Sequence, residues 1–272
     1  MPDYIKEQAL LSNRHKCDEN QDYCFCMTCD DAPASRTKIS VLCVMDGVSQ
    51  ANGGQAVRMA ARALRPALAA ILGDACGLLE MDERSRAHEI RNALIGAICD
   101  ADRYLREQRQ FGVKYGTTIS LAVVFDGAVY TANVGDSPIY MLKFPEAQEK
   151  PPSIVPLFAC QNRAGVELAQ GRITEEEALA SPGRNELVHM VGGNGLRDGD
   201  IFTTSTWLGQ SNILMLGSDG ALAVFSPQVL LDIVKDFQRE GLSATLQKVF
   251  DAVKQTDSTD NFTILAQWLE TN

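Results

Sequence analysis

Asp126-Gly127 lies between two mainly apolar runs, residues 119–125 and 129–134. A two-residue Asp-Gly link between apolar segments is the strongest short-range hairpin signal, so residues 119–134 are expected to form an antiparallel pair. Runs of similar composition at 39–45, 213–216 and 262–268 have the character of further buried strands. Two long helical segments, 55–72 and 85–110, separate the first strand from the hairpin; in the first, Val57, Ala60, Ala61, Leu64, Leu68 and Ile71 recur at helical spacing. A second helical pair, 227–239 and 243–254, precedes the last strand. Helices that come in pairs between groups of strands disfavour a barrel or a doubly wound parallel sheet. They predict an α+β chain of antiparallel sheets covered by helices.

A length of 272 residues with 45% hydrophobic content suits one large domain, residues 1–272. Within it the stretch from about 144 to 200 stands apart, carrying Pro145, Pro151, Pro152, Pro156 and Pro182. One helix is signalled there, because Thr174 followed by Glu177 forms a capping box. The stretch reads as a flap near the working face or as an inert surface excursion. No apolar run approaches the roughly 20 residues that span a bilayer, and the first residues lack a secretory layout, so a cytoplasmic protein is expected.

The formal net charge of −10 opposes unspecific attraction to nucleic acid or to an anionic membrane. An anionic substrate would need local positive charge, which bound cations can supply. Eight cysteines in a chain without an export signal are not expected to form disulfides. Cys24, Cys26 and Cys29, with Cys17 or Cys43 in reserve, could be read as a zinc site, but only the last pair has the common two-residue gap. Buried thiols on a strand are the better reading.

The carboxylates carry the chemistry. Asp46-Gly47 follows the first strand, Gly135-Asp136 the third and Ser218-Asp219-Gly220 the fourth, while Asp260-Asn261 precedes the last. Each Asp-Gly taken singly is a turn signal. Taken together they place acids at strand ends, where a sheet can gather them into one cleft and where their mutual repulsion calls for a cation. Oxygen donors of this kind suit magnesium, manganese or calcium. The three histidines, His15, His88 and His189, adjoin none of them, and no twelve-residue calcium loop is present.

In chain order, Asn20-Gln21-Asp22, Val44-Met45-Asp46-Gly47, Tyr115-Gly116-Thr117-Thr118, Ala132-Asn133-Val134-Gly135-Asp136-Ser137, Leu216-Gly217-Ser218-Asp219-Gly220 and Thr259-Asp260-Asn261-Phe262-Thr263 resemble the metal-dependent protein phosphatases of the 2C type. Residues 171–178 with Arg184-Asn185-Glu186-Leu187 resemble the bacterial branch. The resemblance implies a four-layer α-β-β-α sandwich, with two antiparallel sheets face to face and helices outside. It implies hydrolysis of phosphoserine and phosphothreonine in proteins by water activated between two magnesium or manganese ions, in signalling opposite a Ser/Thr kinase. Asp46 would bridge the two metals, Gly47 would offer its carbonyl to one, and Asp219 and Asp260 would complete the other's shell. Asp22 would act through a coordinated water, and Asp136 with Asp219 would hold a third, weaker ion. The chain has no Cys-x5-Arg loop, no Gly-x-Ser-x-Gly elbow and no Gly-x4-Gly-Lys-Ser/Thr loop, consistent with direct attack by water.

The departures concern phosphate grip. Cys17 stands where many relatives carry a phosphate-gripping Arg, which leaves Arg14, His15 and Lys16 as neighbouring candidates, Arg14 and Lys16 first. Gln21 replaces a commonly acidic residue, and Pro138 and Val48-Ser49-Gln50 replace the usual continuations of their motifs. A binding or sensor protein without turnover, or a hydrolase of small phosphate esters, are the alternatives.

Overall fold

The computed structural model of the chain describes residues 4–30, 38–109, 112–145 and 151–271. Strands that are apolar on both faces must lie between two layers. The chain meets this condition by packing two five-stranded sheets against each other. In chain order the strands are β1 (Ile5–Asn13), β2 (Tyr23–Asp30), β3 (Lys38–Met45), β4 (Ile119–Phe125), β5 (Ala128–Val134), β6 (Ile139–Phe144), β7 (Ser153–Pro156), β8 (Phe202–Trp207), β9 (Ser211–Gly217) and β10 (Phe262–Glu270). One sheet runs β1-β10-β9-β6-β7 and the other β2-β3-β4-β5-β8, with antiparallel neighbours throughout. The helices are α1 (Gly53–Gly73), α2 (Ala75–Glu80), α3 (Glu83–Glu107), α4 (Arg163–Ala169), α5 (Glu175–Ala180), α6 (Pro227–Val234), α7 (Phe237–Glu240) and α8 (Leu242–Val253).

Alternation along β3 shows how the layers form. Leu42 and Val44 join Ala122, Val124, Leu214 and Leu265 between the sheets. Val41, Cys43 and Met45 point the other way and pack with Leu64 and Leu68 of α1 and Leu94 and Ile98 of α3. On the far side of the other sheet, Ile213, Met215 and Ile264 meet Leu230 and Val234 of α6 and Leu246 and Val249 of α8. The result is the expected four-layer α-β-β-α sandwich.

The hairpin forms as expected, with Phe125 opposite Ala128 and left-handed φ values of 47° at Asp126 and 75° at Gly127. Asp126 is more than a turn residue, however. Its carboxylate pairs at 2.8 Å with Arg86, a side chain only 8% exposed. The first helical pair appears as α1 and α3, the latter starting earlier than expected because Asp82 caps it through the amides of Arg84 and Ser85. Residue 110, the expected end of that helix, lies outside the described residues. The later pair is divided into α6, α7 and α8, with the chain breaking at Gly241 (φ 85°).

Cys24 and Cys26 face the layer between the sheets, whereas Cys29 packs on the helix side, so the three thiols do not share a face. None of the eight cysteines, all of them among the described residues, forms a disulfide. Among the described residues no helix is long and apolar enough to cross a membrane.

Candidate active site

The strand order brings the acids to one end of the sandwich. β2 starts beside the end of β3, with Tyr23 opposite Met45, and so places Asp22 next to Asp46. β9 ends beside the start of β10, with Gly217 near Ile264, and so places Asp219 next to Asp260. Asp136 follows β5 at the same end, where Val134 pairs with Ile119.

Backbone contacts fix Asp46. Its carbonyl accepts from the Thr118 amide and the Thr117 hydroxyl, each at 2.8 Å, and its amide donates to Thr118 Oγ1 at 3.0 Å. Thr118 Oγ1 in turn lies 2.7 Å from Ser137 Oγ, which ties the end of β3 to the residue after Asp136. Gly47 packs against Gly53 at the start of α1 so closely that a Cβ at residue 47 would lie 2.5 Å from the Gly53 carbonyl carbon. Asn261 joins the remaining loops: its Oδ1 accepts from the Gln21 amide at 2.8 Å, and its Nδ2 donates to the carbonyls of Arg14 and Glu19.

Electrostatics show that the acids converge. Burial first, then the charges of Asp22, Asp219 and Asp260 and a hydrogen bond with Asp219, hold the Asp46 carboxyl well above the usual range, although its edge still meets solvent. Burial likewise pushes Asp22 up to about 7, with Asp219 and Asp260 adding to the shift and the hydroxyls of Ser218 and Thr263 opposing it. Ser218 Oγ also accepts from the Thr263 amide, and Thr263 Oγ1 lies 2.8 Å from Ser12 Oγ. Both Asp22 oxygens are buried, and neither meets a partner in good hydrogen-bond geometry. Asp136 also stands at about 7, raised by burial and by Asp219, and is eased by a 2.9 Å bond from Asn162 Nδ2 and by the charge of Arg184. Asp260, at the exposed lip, is raised by the protein around it and by Asp219.

Buried oxygen donors with raised affinity for a positive charge are the chemistry that a hard divalent cation satisfies, and the orphaned oxygens of Asp22 fit that role. Among the described residues no three His, Cys, Asp or Glu side chains are already gathered tightly enough to hold a metal ion. The set is convergent but not closed.

Arg14 and Lys16 lie on the rim. Both are exposed; Arg14 Nη1 donates to the Asp18 carbonyl and Lys16 Nζ to the Ser258 carbonyl, each at 3.1 Å. Cys17, between them and the acids, donates to the Thr259 carbonyl. The charge that the structure sets beside Asp136 is instead Arg184, which donates to the carbonyls of Leu179 at 3.0 Å and Ala223 at 2.8 Å. It was visible in the sequence only as part of the Arg184-Asn185-Glu186-Leu187 match. Asn162 left no signal of its own, since a lone Asn after a proline-rich stretch reads as loop. The 144–200 stretch is fastened here rather than set apart: Gln161 donates to the Gly135 carbonyl and accepts from the Gly135 amide. Residues 146–150 of the stretch lie outside the described residues.

Fold and site together define a four-layer sandwich with a carboxylate cluster at one end of its paired sheets. No family model matches the sequence, and no curated protein matches it. Solved structures do match. Serine/threonine phosphatase Stp1 from Staphylococcus aureus superposes with a TM-score of 0.76 at 19% identity, over 98% of this chain and 96% of that one. The PPM Ser-Thr phosphatase MsPP from Mycobacterium smegmatis, in complex with cacodylate, gives 0.69 at 21% identity, over 97% and 98%. The catalytic domain of the serine/threonine protein phosphatase PstP, in complex with two manganese ions, gives 0.69 at 18% identity, over 97% and 98%. The fold is that of the bacterial PPM serine/threonine phosphatases.

Proposed function

We propose that the chain is a magnesium- or manganese-dependent hydrolase of phosphoserine and phosphothreonine in proteins. The observation that carries this reading is the convergence of Asp22, Asp46, Asp219 and Asp260, whose carboxyls burden one another with charge and include buried oxygens without a partner. Two divalent cations bound there would neutralise that charge, orient a water in line with the phosphoester and offset the charge that develops as the ester bond breaks.

In this reading Asp46 and the Gly47 carbonyl, with Asp219 and Asp260, would hold the two cations, and Asp22 would act through water. Asp136 with Asp219 would hold a third. Water adds to phosphorus, the Ser or Thr oxygen leaves and takes up a proton, and inorganic phosphate remains. We assign contact with the phosphate oxygens to Arg14 and Lys16, whose loop is fastened to residues 258–261. The manganese in the PstP structure supports divalent metal dependence by analogy. We assign residues 1–272 to a single phosphatase domain with a flap at about 144–200, acting in the cytoplasm opposite a Ser/Thr kinase.

Hydrolysis of an aryl phosphate and then of a phosphothreonine peptide, with and without manganese, tests the reading. Metal-dependent turnover of both is expected. Metal binding without turnover would favour the sensor alternative, which the Cys17 substitution motivates, and turnover of the aryl phosphate alone would point to small esters.

A further inference from the structure

On the flap side of Asp136 lies a cavity of about 220 Å3 for which hydrolysis itself has no use. Tyr140, Phe158, Leu168, Ala178, Leu179 and Phe225 give it apolar walls. α4 and α5 form one side, and the chain after the Asp219–Ala223 turn forms the other. Hydrogen bonds hold these sides in place. Asn162 accepts from the Gly165 amide at the start of α4 while donating to Asp136, and Arg184 clamps the end of α5 to Ala223 through the two carbonyl bonds described above. Leu179, 43% exposed, leaves apolar surface at the cavity's edge.

We propose that this cavity receives an apolar side chain of the phosphoprotein substrate, aliphatic or aromatic, from a residue within two positions of the phosphorylated one. The proposal rests on the phosphatase reading and adds a sequence preference to it. Size is the first ground: the volume falls below the roughly 300–1,000 Å3 of sites for drug-sized molecules, which leaves room for one side chain. Continuity is the second. Asp136 belongs both to the carboxylate cluster and to the cavity wall, so a peptide whose phosphoester sits over the cluster passes the cavity mouth. Extended backbone advances about 3.3 Å per residue, which brings the nearest neighbours within reach. Charge is the third: the wall carries two acids, Asp136 and Glu175, against one base, Arg184, whose nitrogens already donate to the Leu179 and Ala223 carbonyls, so an acidic neighbour is disfavoured.

The test uses the full chain with manganese and phosphothreonine peptides that differ only in Leu or Asp at one position, scanned from two before to two after the phosphoresidue. At one position the Leu peptide should show a kcat/KM about tenfold higher, the ratio expected from burying one aliphatic side chain. Ala178→Phe, which fills the cavity, should bring that ratio close to one. Leu168→Ala, which enlarges it, should shift the preference from Leu toward Phe or Trp, so each variant stands if the other fails to fold. Aryl phosphate hydrolysis separates the two levels. If neither the ester nor any peptide turns over with metal, the phosphatase reading fails and takes the cavity proposal with it. If both turn over but the ratio stays near one at every position, or survives unchanged in both variants, the cavity proposal alone is overturned.

Discussion

Gly47→Ala should damage this protein although it adds a single methyl group. The new Cβ would lie 2.5 Å from the Gly53 carbonyl carbon and 2.7 Å from both the Gln21 carbonyl oxygen and the Gly53 Cα. All three are backbone atoms, so no side chain can swing aside; the start of α1 or the Asp46-Gly47 turn must move. Overpacking of a close-packed interior costs about 1–3 kcal/mol, and backbone on both sides points to the upper end. In a chain of this size about 3 kcal/mol lowers Tm by roughly 6–12 °C. The same movement displaces the Gly47 carbonyl, so manganese affinity should fall as well. Gly73→Ala is the internal control: the added Cβ meets nothing within 4 Å at the exposed end of α1, and stability should hold or rise by up to about 1 kcal/mol. Thermal unfolding of both variants by circular dichroism, with manganese titrated by calorimetry, measures the contrast. A Gly47→Ala protein that melts within about 1 °C of wild type and binds manganese equally would refute the close approach.

Three further outcomes are expected. Asp126→Asn should cost about 3 kcal/mol in urea unfolding, because it strips the charge partner from buried Arg86, whose Nε already lacks a partner; a silent substitution would restore the plain turn reading. Asp136→Ala should keep two bound metals yet hydrolyse phosphopeptide much more slowly, partly rescued by raised manganese, since a site with fewer carboxylates is refilled by mass action. Unchanged stoichiometry together with unchanged kinetics would leave Asp136 as a turn residue. After chelation of metal, Asp22 and Asp136, at about 7 rather than 3.8, bind a proton more tightly folded than unfolded, so stability should rise as pH falls through 7 toward 5. Saturating manganese should flatten that slope, and a metal-free protein that loses stability over the same range would contradict the raised carboxyls.

What the sequence disclosed and what it hid follow from the same physics. β4, β5 and β9 are buried along their whole length and β3 beyond Lys38, so they read as mainly apolar runs. β1 and β8, at sheet edges, mix Lys, Glu, Gln and Thr with apolar residues, and their pairing depends on partners far along the chain. Asp46, Asp136 and Asp219 were legible because each follows such a run within two residues, and Asp260 because it shortly precedes the apolar β10. Asp22 adjoins the cysteine-bearing β2 and was found only through resemblance. The Arg86–Asp126 pair spans 40 residues and needs α3 laid across the hairpin, which no local pattern reveals. Arg14 and Lys16 were chosen for charge and nearness in sequence, whereas Arg184 reaches Asp136 only because Gln161 and Asn162 fasten the flap to the end of β5.

The most direct test of the account is phosphate release from a phosphothreonine peptide by wild type and Asp46→Asn, each with and without saturating manganese. Fold would be checked by thermal melting and metal content by elemental analysis. Wild type should turn over only with metal. Asp46→Asn should stay folded and show no release above the metal-free background, because it loses the charge placed between two cations and no core packing. Substantial turnover by a folded, metal-loaded Asp46→Asn protein would contradict the assignment of Asp46 as the bridging ligand, and with it the two-metal centre.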